Sequence, residues 1–215
     1  GAPLVITGNL YGYGPVDRPM TEDMPLAAPT RKGRVRVKMW QDALDAYRAG
    51  RIKAVTEVRA SDYIGLKYTL LEMALPALRA ERTFWAPTPL DNPHTFTYTE
   101  DVARTLVTLG RDERAWGRAW HVPSPPPMTV RDIVTRTARI AGLPTPKLRT
   151  IPEPLIRTVG LYDKWVREFV EMSYQWKRAF VLDATHTSAV FGLSATDADE
   201  AIRATIASAP ARVPA

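Results

Sequence analysis

The order of elements in the first 65 residues limits what this chain can fold into. Pro3 to Thr7 is apolar and β-branched around Leu4-Val5-Ile6, which spells a short buried strand. Gly8 to Pro15 carries Gly8, Gly12 and Gly14 and closes on a proline, so it reads as a loop. From Gly33 to Ala49, Val35, Met39, Ala43, Ala46 and Tyr47 recur at helical steps, and Gly50 stands where a helix would stop. Ala54 to Ala60 is a second strand, and Ser61 to Gly65 the loop after it. Strand, helix, strand in that order is a βαβ unit, which requires a parallel sheet with a right-handed crossover. In open sheets of this kind, ligands bind beyond the carboxyl ends of the strands.

The rest of the chain alternates in the same manner. Asp17 to Arg31 is polar and proline-rich and reads as an exposed loop. Thr69 to Arg79 is a helix shortened or kinked by Pro76. Thr83 to Pro87 and His94 to Tyr98 are short strands. Thr99 or Glu100 caps a helix to Gly110, with Val102, Ala103, Leu106 and Val107 inward. Arg118 to Val122 is a strand, followed by a rigid proline loop from Ser124 to Pro127. Thr129 and Asp132 open a helix that stops near Gly142, and Lys147 to Ile151 is a strand. Glu153 to Trp176 is a long apolar helical region with a break expected at Gly160. A last strand (Ala179 to Leu182), a last helix (Glu200 to Ala207) and a frayed tail (Pro210 to Ala215) end the chain.

Composition removes whole classes of chemistry. There is no cysteine, which excludes disulfides, zinc–thiolate sites, iron–sulfur clusters and thiol nucleophiles. Three histidines are too few to point to a multi-histidine metal centre, and no metal site is expected. No apolar run reaches the roughly 18 to 20 residues that a membrane helix needs, and the first residues do not read as a signal peptide. The expectation is a cytoplasmic protein without a membrane partner. The net charge is +6, carried by 22 Arg against 7 Lys. A nucleic-acid module is disfavoured, because the aromatics are not interleaved with the basic run from Arg31 to Lys38.

Three places carry candidate chemistry. Thr7, Gly8, Asn9 and Tyr11 stand at the carboxyl end of the first strand, where a hydroxyl and an amide can fix a ligand. Ala60, Ser61 and Asp62 end the second strand and lie beside them on the same sheet edge; Asp62 has the alternative of capping the next turn. The basic cluster opening the first helix works against the helix dipole, which a bound anion would offset. His94 precedes a strand and His121 lies in one, positions that suit structural histidines as well as ligand contacts. Trp165, Phe169, Met172 and Trp176 recur at helical steps, either as packing or as a hydrophobic substrate wall.

Taken together, these segments resemble the extended short-chain dehydrogenases/reductases, the NAD-dependent epimerase/dehydratase family. Leu4 to Gly12 is similar to the family's strand and loop with its serine and aromatic-glycine turn. Val58 to Gly65 is similar to its Arg-x-x-Asn-x-x-Gly stretch, and Phe96 to Ala103 to its Phe-x-x-Val-x-Asp-Val-Ala segment. Gly117 to Val122, Thr129, Gly142, Phe180 to Asp183 and Phe191-Gly192 follow the remaining pattern. The family's Ser, Tyr and Lys fall, without a gap, on Thr7, Lys32 and Arg36. Tyr11 or Tyr13 is then the candidate replacement for the missing phenol. The family's Gly-x-x-Gly-x-x-Gly pyrophosphate loop is absent from this sequence.

The resemblance implies an α/β fold, the later half of a Rossmann-type parallel sheet, with a small mixed α/β substrate lobe. Residues 1–65 are expected to belong to the dinucleotide-binding part, and 66–215 to a lobe interleaved with the remaining sheet. It implies an oxidoreductase, epimerase or dehydratase using NAD or NADP on a sugar nucleotide or related small molecule, possible as a homodimer. Thr7, Tyr11, Lys32 and Arg36 are the candidate catalytic residues. Thr7, Gly8, Lys32, Ala60 and Ser61 are candidates for the cofactor, and Asn9, Asp62 and His94 for the substrate. The chain is expected to be the C-terminal portion of a longer protein, with its first strand short of a neighbour. The alternative is a non-catalytic dinucleotide-binding sensor or scaffold with altered catalytic positions.

Overall fold

The computed structural model describes residues 2–67 and 69–209. In chain order its strands are β1 (Leu4–Asn9), β2 (Val55–Ala60), β3 (Asp62–Ile64), β4 (Phe84–Ala86), β5 (Phe96–Tyr98), β6 (Arg118–His121) and β7 (Leu148–Thr150). Its helices are α1 (Arg31–Arg48), α2 (Leu70–Arg79), α3 (Thr99–Arg111), α4 (Val130–Ile140), α5 (Glu153–Tyr162), α6 (Lys164–Met172), α7 (Thr185–Phe191) and α8 (Ala198–Ser208). The expected tail from Pro210 lies outside the described residues. None of the described helices is long and apolar enough to cross a membrane.

The chain divides into two compact units. One runs through Ser61 and takes back Thr97–Ser124 and Val181–Ala195. The other holds Asp62–Phe96, Pro125–Phe180 and the described residues from Thr196 onward.

In the first unit, β1, β2 and β6 form a parallel sheet in the order β1-β2-β6. The βαβ unit is therefore present as the sequence requires. β2 is central, and all six of its residues are buried. β1 is the edge strand, and Leu4 and Thr7 are exposed there, so the expected buried strand is buried only in part. α3 packs on β1 and β2, and a Cβ added at Gly110 would stand 3.0 Å from a Val5 methyl. α7, not expected from the sequence, places His186 and Phe191 against the Trp120 ring of β6.

The expected inner faces of two helices hold in part: Ala43, Ala46 and Tyr47 of α1 and Leu106 of α3 are half-buried, and Val102 is buried. In α1 the buried residues are Gly33 and Trp40, while Val35 and Met39 are exposed. The helix carries two apolar stripes, and Gly33, on the one that turns inward, packs closely against Ala28 and the Tyr11 carbonyl. In α3 the buried residues are Asp101, Val102, Thr105 and Leu109, and Ala103 and Val107 face out. The segment from Asp17 to Arg31 is not wholly exposed: Met20 is fully buried and bridges Leu182.

The second unit is built on smaller pieces. β4 and β7 pair in parallel, and α2 packs on β4 and on α4. The capping box of Thr129 and Asp132 opens α4 as its sequence spells. α8 packs on α4 and ties to it through Arg136 and Arg139, both bonded to Asp199. Ser61 to Gly65 is not all loop, since it contains β3. Ala179 to Leu182 is not a regular strand, because only Phe180 and Leu182 make isolated bridges. The long apolar region breaks at Asp163, not at Gly160. Asp163 caps α6 through Val166 N, whereas Gly160 is the buried contact where α5 meets the Arg167 backbone.

Gly33→Ala tests the α1 contact. Alanine is normally the better helix former by about 1 kcal/mol. Here the added Cβ would stand 2.4 Å from Ala28 Cβ and 2.7 Å from the Tyr11 carbonyl oxygen. The substitution should lower unfolding free energy in urea by about 2 kcal/mol net, because the backbone must move.

Candidate functional site

Alternation along β2 points Glu57 and Arg59 to the same face of the sheet. Both side chains are about 95% buried and joined by a 2.7 Å ion pair. Gly8, on the neighbouring strand, makes room for this pair: a Cβ there would lie 2.5 Å from Glu57 Oε1. Arg59 Nη1 also donates to the Tyr13 hydroxyl at 2.8 Å. The Tyr13 oxygen lies 2.7 Å from His121 Nε2, across 108 residues of sequence.

The proton positions follow from the partners. His121 Nδ1 lies 2.8 Å from the Asp183 carbonyl oxygen, which only accepts, so Nδ1 carries the proton. In the neutral ring Nε2 then accepts, and Tyr13 must donate to it. Arg59 holds the Tyr13 oxygen from the other side. Burial pushes the Tyr13 hydroxyl up to about 12, against the pull of Arg59. Burial pushes His121 down from its ordinary value, only partly offset by Glu22 and the Asp183 carbonyl. It also raises the Glu57 carboxyl, against the attraction of Arg59 and of Arg36 on α1. The network is thus Glu57, Arg59, Tyr13 and His121 in a single ordered sense, with a neutral phenol at its centre.

Glu22 secures its far end. One of its oxygens accepts from His121 N at 3.2 Å and from the Thr187 hydroxyl at 2.8 Å. A carboxylate therefore meets a backbone donor of β6 on that edge. Glu22 and Asp183 also line an open pocket of about 520 Å³ with Asp23, Arg118 and His186. Among the described residues, no group of three or more His, Asp or Glu side chains is placed to hold a metal ion.

The residues expected from sequence fall in two groups. In the first unit, Thr7 pairs with Val58, Gly8 with Arg59 and Asn9 with Ala60, so the two strand ends lie side by side. Thr7 is exposed, and Asn9 Oδ1 accepts from Tyr11 N at 3.1 Å. Lys32 and Arg36 are half-buried on α1, whose first turn meets the Tyr11 carbonyl at Gly33. Ala60 is fully buried. Ser61 donates its N–H to Thr97 Oγ1 at 3.1 Å, and its own hydroxyl is buried with no partner among the described residues. In the second unit, His94 Nε2 donates to Asp62 Oδ2 at 2.8 Å, so Asp62, the first residue of β3, answers a histidine. The His94 side chain is 1% exposed and stacks on Trp176 with ring centroids 3.9 Å apart.

Of the two tyrosines weighed as replacements for the family's phenol, Tyr13 is held by Arg59 and His121 and buried. Its proton is committed to His121, which makes it a poor base. The sequence showed Arg59 at a strand end and His121 within a strand, but nothing in their spacing linked either to Tyr13.

Tyr13→Phe should lower stability by about 2 to 3 kcal/mol in urea unfolding, because it leaves Arg59 and His121 each short of a buried partner. His121 gives a pH signature. Its native value lies below the unfolded one, near 6.5, so on acidification the unfolded chain takes up the proton first. Stability should fall as the pH drops below about 6.5, by up to about 1.4 kcal/mol per unit. Glu57, raised in the native state, acts oppositely above its unfolded value. The difference between the wild type and His121→Asn isolates the histidine, and a flat difference from pH 5 to 7 would contradict this protonation state.

No family model matches the sequence, and no curated protein matches it. Solved structures do. The UDP-glucuronic acid 4-epimerase of Bacillus cereus, solved with NAD, superposes with a TM-score of 0.71 at 12% identity over 94% of this chain and 58% of its own. The dTDP-glucose 4,6-dehydratase of Bacillus anthracis, solved with NAD, gives 0.71 at 14% identity over 95% and 60%. RMD of Pseudomonas aeruginosa, complexed with NADPH, gives 0.71 at 14% over 94% and 64%. The chain spans less than two thirds of the length of each of these neighbours. At such identities the likeness is one of architecture: this chain has the Rossmann-type α/β fold of the NAD-dependent epimerases and dehydratases.

Proposed function

We propose that the chain binds NAD or NADP at the carboxyl ends of β1 and β2, and acts as an oxidoreductase, epimerase or dehydratase on a sugar nucleotide or related small molecule. One observation carries this reading beyond the fold. The two strand ends that meet at Asn9 and Ala60 leave Ser61 with a buried hydroxyl lacking a partner among the described residues. A buried hydroxyl without a partner costs about 1 to 3 kcal/mol, and a ligand group accepting from it would remove that cost.

The residues fit one end of the cofactor better than the other. Thr7, Asn9 and Ser61 offer hydroxyl and amide groups suited to a nicotinamide carboxamide and its ribose. No glycine-rich turn of the pyrophosphate-binding kind occurs in the sequence. The nicotinamide, when bound, supplies hydride transfer. The chain's part is to orient and to move protons. Thr7 offers a hydrogen bond to a substrate oxygen, and Tyr11 is the phenol placed beside it in sequence. Arg36 keeps a permanent positive charge on α1. Lys32 is the remaining candidate base. A second reading, binding without turnover, is favoured by Lys32 and Arg36 standing where the resembled family has Tyr and Lys.

The fit predicts how affinity divides between the cofactor's halves. In saturation-transfer NMR, reduced nicotinamide mononucleotide should displace NADH from the 215-residue chain about tenfold better than ADP-ribose does. Equal displacement by ADP-ribose, or no binding of NADH, would overturn the assignment. Binding with no hydride transfer over a substrate panel would select the second reading.

A further inference from the structure

A second place lies wholly within the other unit. Beside the carboxyl ends of β4 and β7 is a partly enclosed cavity of about 100 Å³. Its walls are formed mainly by Phe169, Trp176, Ile151, Ile156 and Pro87, with Thr88 among them. Phe169 comes from α6, Ile156 from α5, and Trp176 from the turn that follows α6.

These walls are fixed before any ligand arrives. Trp176 stacks on His94 with the two rings 6° from parallel. Asn92 Nδ2 donates to the Trp176 carbonyl at 2.6 Å. The His94 backbone exchanges two hydrogen bonds of 2.9 Å with Met128. Thr150 ends β7, which pairs with β4, and the N–H of the next residue, Ile151, bonds to the Ala86 carbonyl at 2.8 Å. The helix break at Asp163 folds α5 against α6, which brings Ile156 and Phe169 to the same cavity.

The polar groups at the cavity are almost all committed. Ser173 Oγ donates to the Val170 carbonyl at 2.9 Å. Lys177 and Glu153, at the edge, pair with each other at 2.9 Å. Thr88 is 4% exposed, and its hydroxyl has no partner among the described residues. An apolar cavity with one unsatisfied hydroxyl suits a small apolar group carrying one hydrogen-bonding atom. A water would need roughly two to four polar partners. An engineered apolar cavity of about 150 Å³ takes up benzene, so about 100 Å³ open at one side accepts a group approaching that size.

We propose that this cavity is a binding site for a small aromatic or branched aliphatic group bearing one oxygen, which hydrogen-bonds to Thr88 Oγ1. The site belongs to the second unit alone, and it stands whether or not the chain binds a dinucleotide.

Ligand-observed fluorine NMR on the whole 215-residue chain tests this with para-fluorophenol and fluorobenzene. Both probes should bind saturably, the phenol more tightly. Thr88→Val keeps the side-chain shape and removes the hydroxyl. It should weaken para-fluorophenol about fivefold, the size of one neutral hydrogen bond, and leave fluorobenzene unchanged. The same variant should melt no lower than the wild type, since it removes an unpaired buried hydroxyl. Ser173→Phe fills the cavity and should abolish binding of both probes, with Val170→Phe as the second blocking variant if the first does not fold. Absence of saturable binding to the wild type, or binding that survives a folded blocking variant, would overturn the site. Equal loss of both probes in Thr88→Val would overturn the role of the hydroxyl.

Discussion

The ion pair of Glu57 and Arg59 in the central strand governs the first unit. Two opposite charges two residues apart on β2 are removed from water together. Such a pair is tolerated only when its remaining donors and acceptors are met; breaking one side costs about 3 to 5 kcal/mol. The surrounding structure supplies what is needed. Gly8 leaves the space that Glu57 fills, Tyr13 offers its oxygen to Arg59, and His121 Nε2 accepts the hydrogen bond of the Tyr13 hydroxyl. The Asp183 carbonyl then sets the tautomer of that histidine. Segments far apart in the chain are thus tied to one strand, and the tie has a direction, from a cation to a phenol to a neutral ring.

That direction bears on function. Because Tyr13 donates to His121 and accepts from Arg59, its proton is not on offer to a ligand. The network stabilises the sheet whose strand ends carry Thr7, Asn9 and Ser61. The second unit has its own fixed point in His94. Its ring stacks on Trp176 and donates to Asp62, while its backbone is paired with Met128.

Much of the architecture was legible from pattern. The β-branched run at Leu4, the Gly50 stop and the capping box at Thr129 each specify local geometry through nearby residues, so β1, α1, β2 and α4 could be placed. The family resemblance extended this to the fold class, which the solved structures support. Errors fell where local signals were ambiguous. α1 has apolar residues on two faces, and Val35 and Met39 fit a helical period as well as Gly33 and Trp40 do. Gly160 looked like a break because glycine is a poor helix former, yet it is a helix contact, and Asp163 with its cap is the break.

The sequence by itself determined the βαβ order, the parallel sheet that this order demands, and the positions of Thr7, Asn9 and Ser61 near adjoining strand ends. These follow from short-range periodicity and from the rule of handed crossovers. Only the tertiary structure decided that Tyr13 is bound between Arg59 and His121, and that Thr88 keeps a buried hydroxyl beside Phe169 and Trp176. Those relations join residues tens of positions apart, and no local period records them. They depend on which side chains are shut away from water together, because burial makes each unpaired polar atom costly enough to dictate its neighbours.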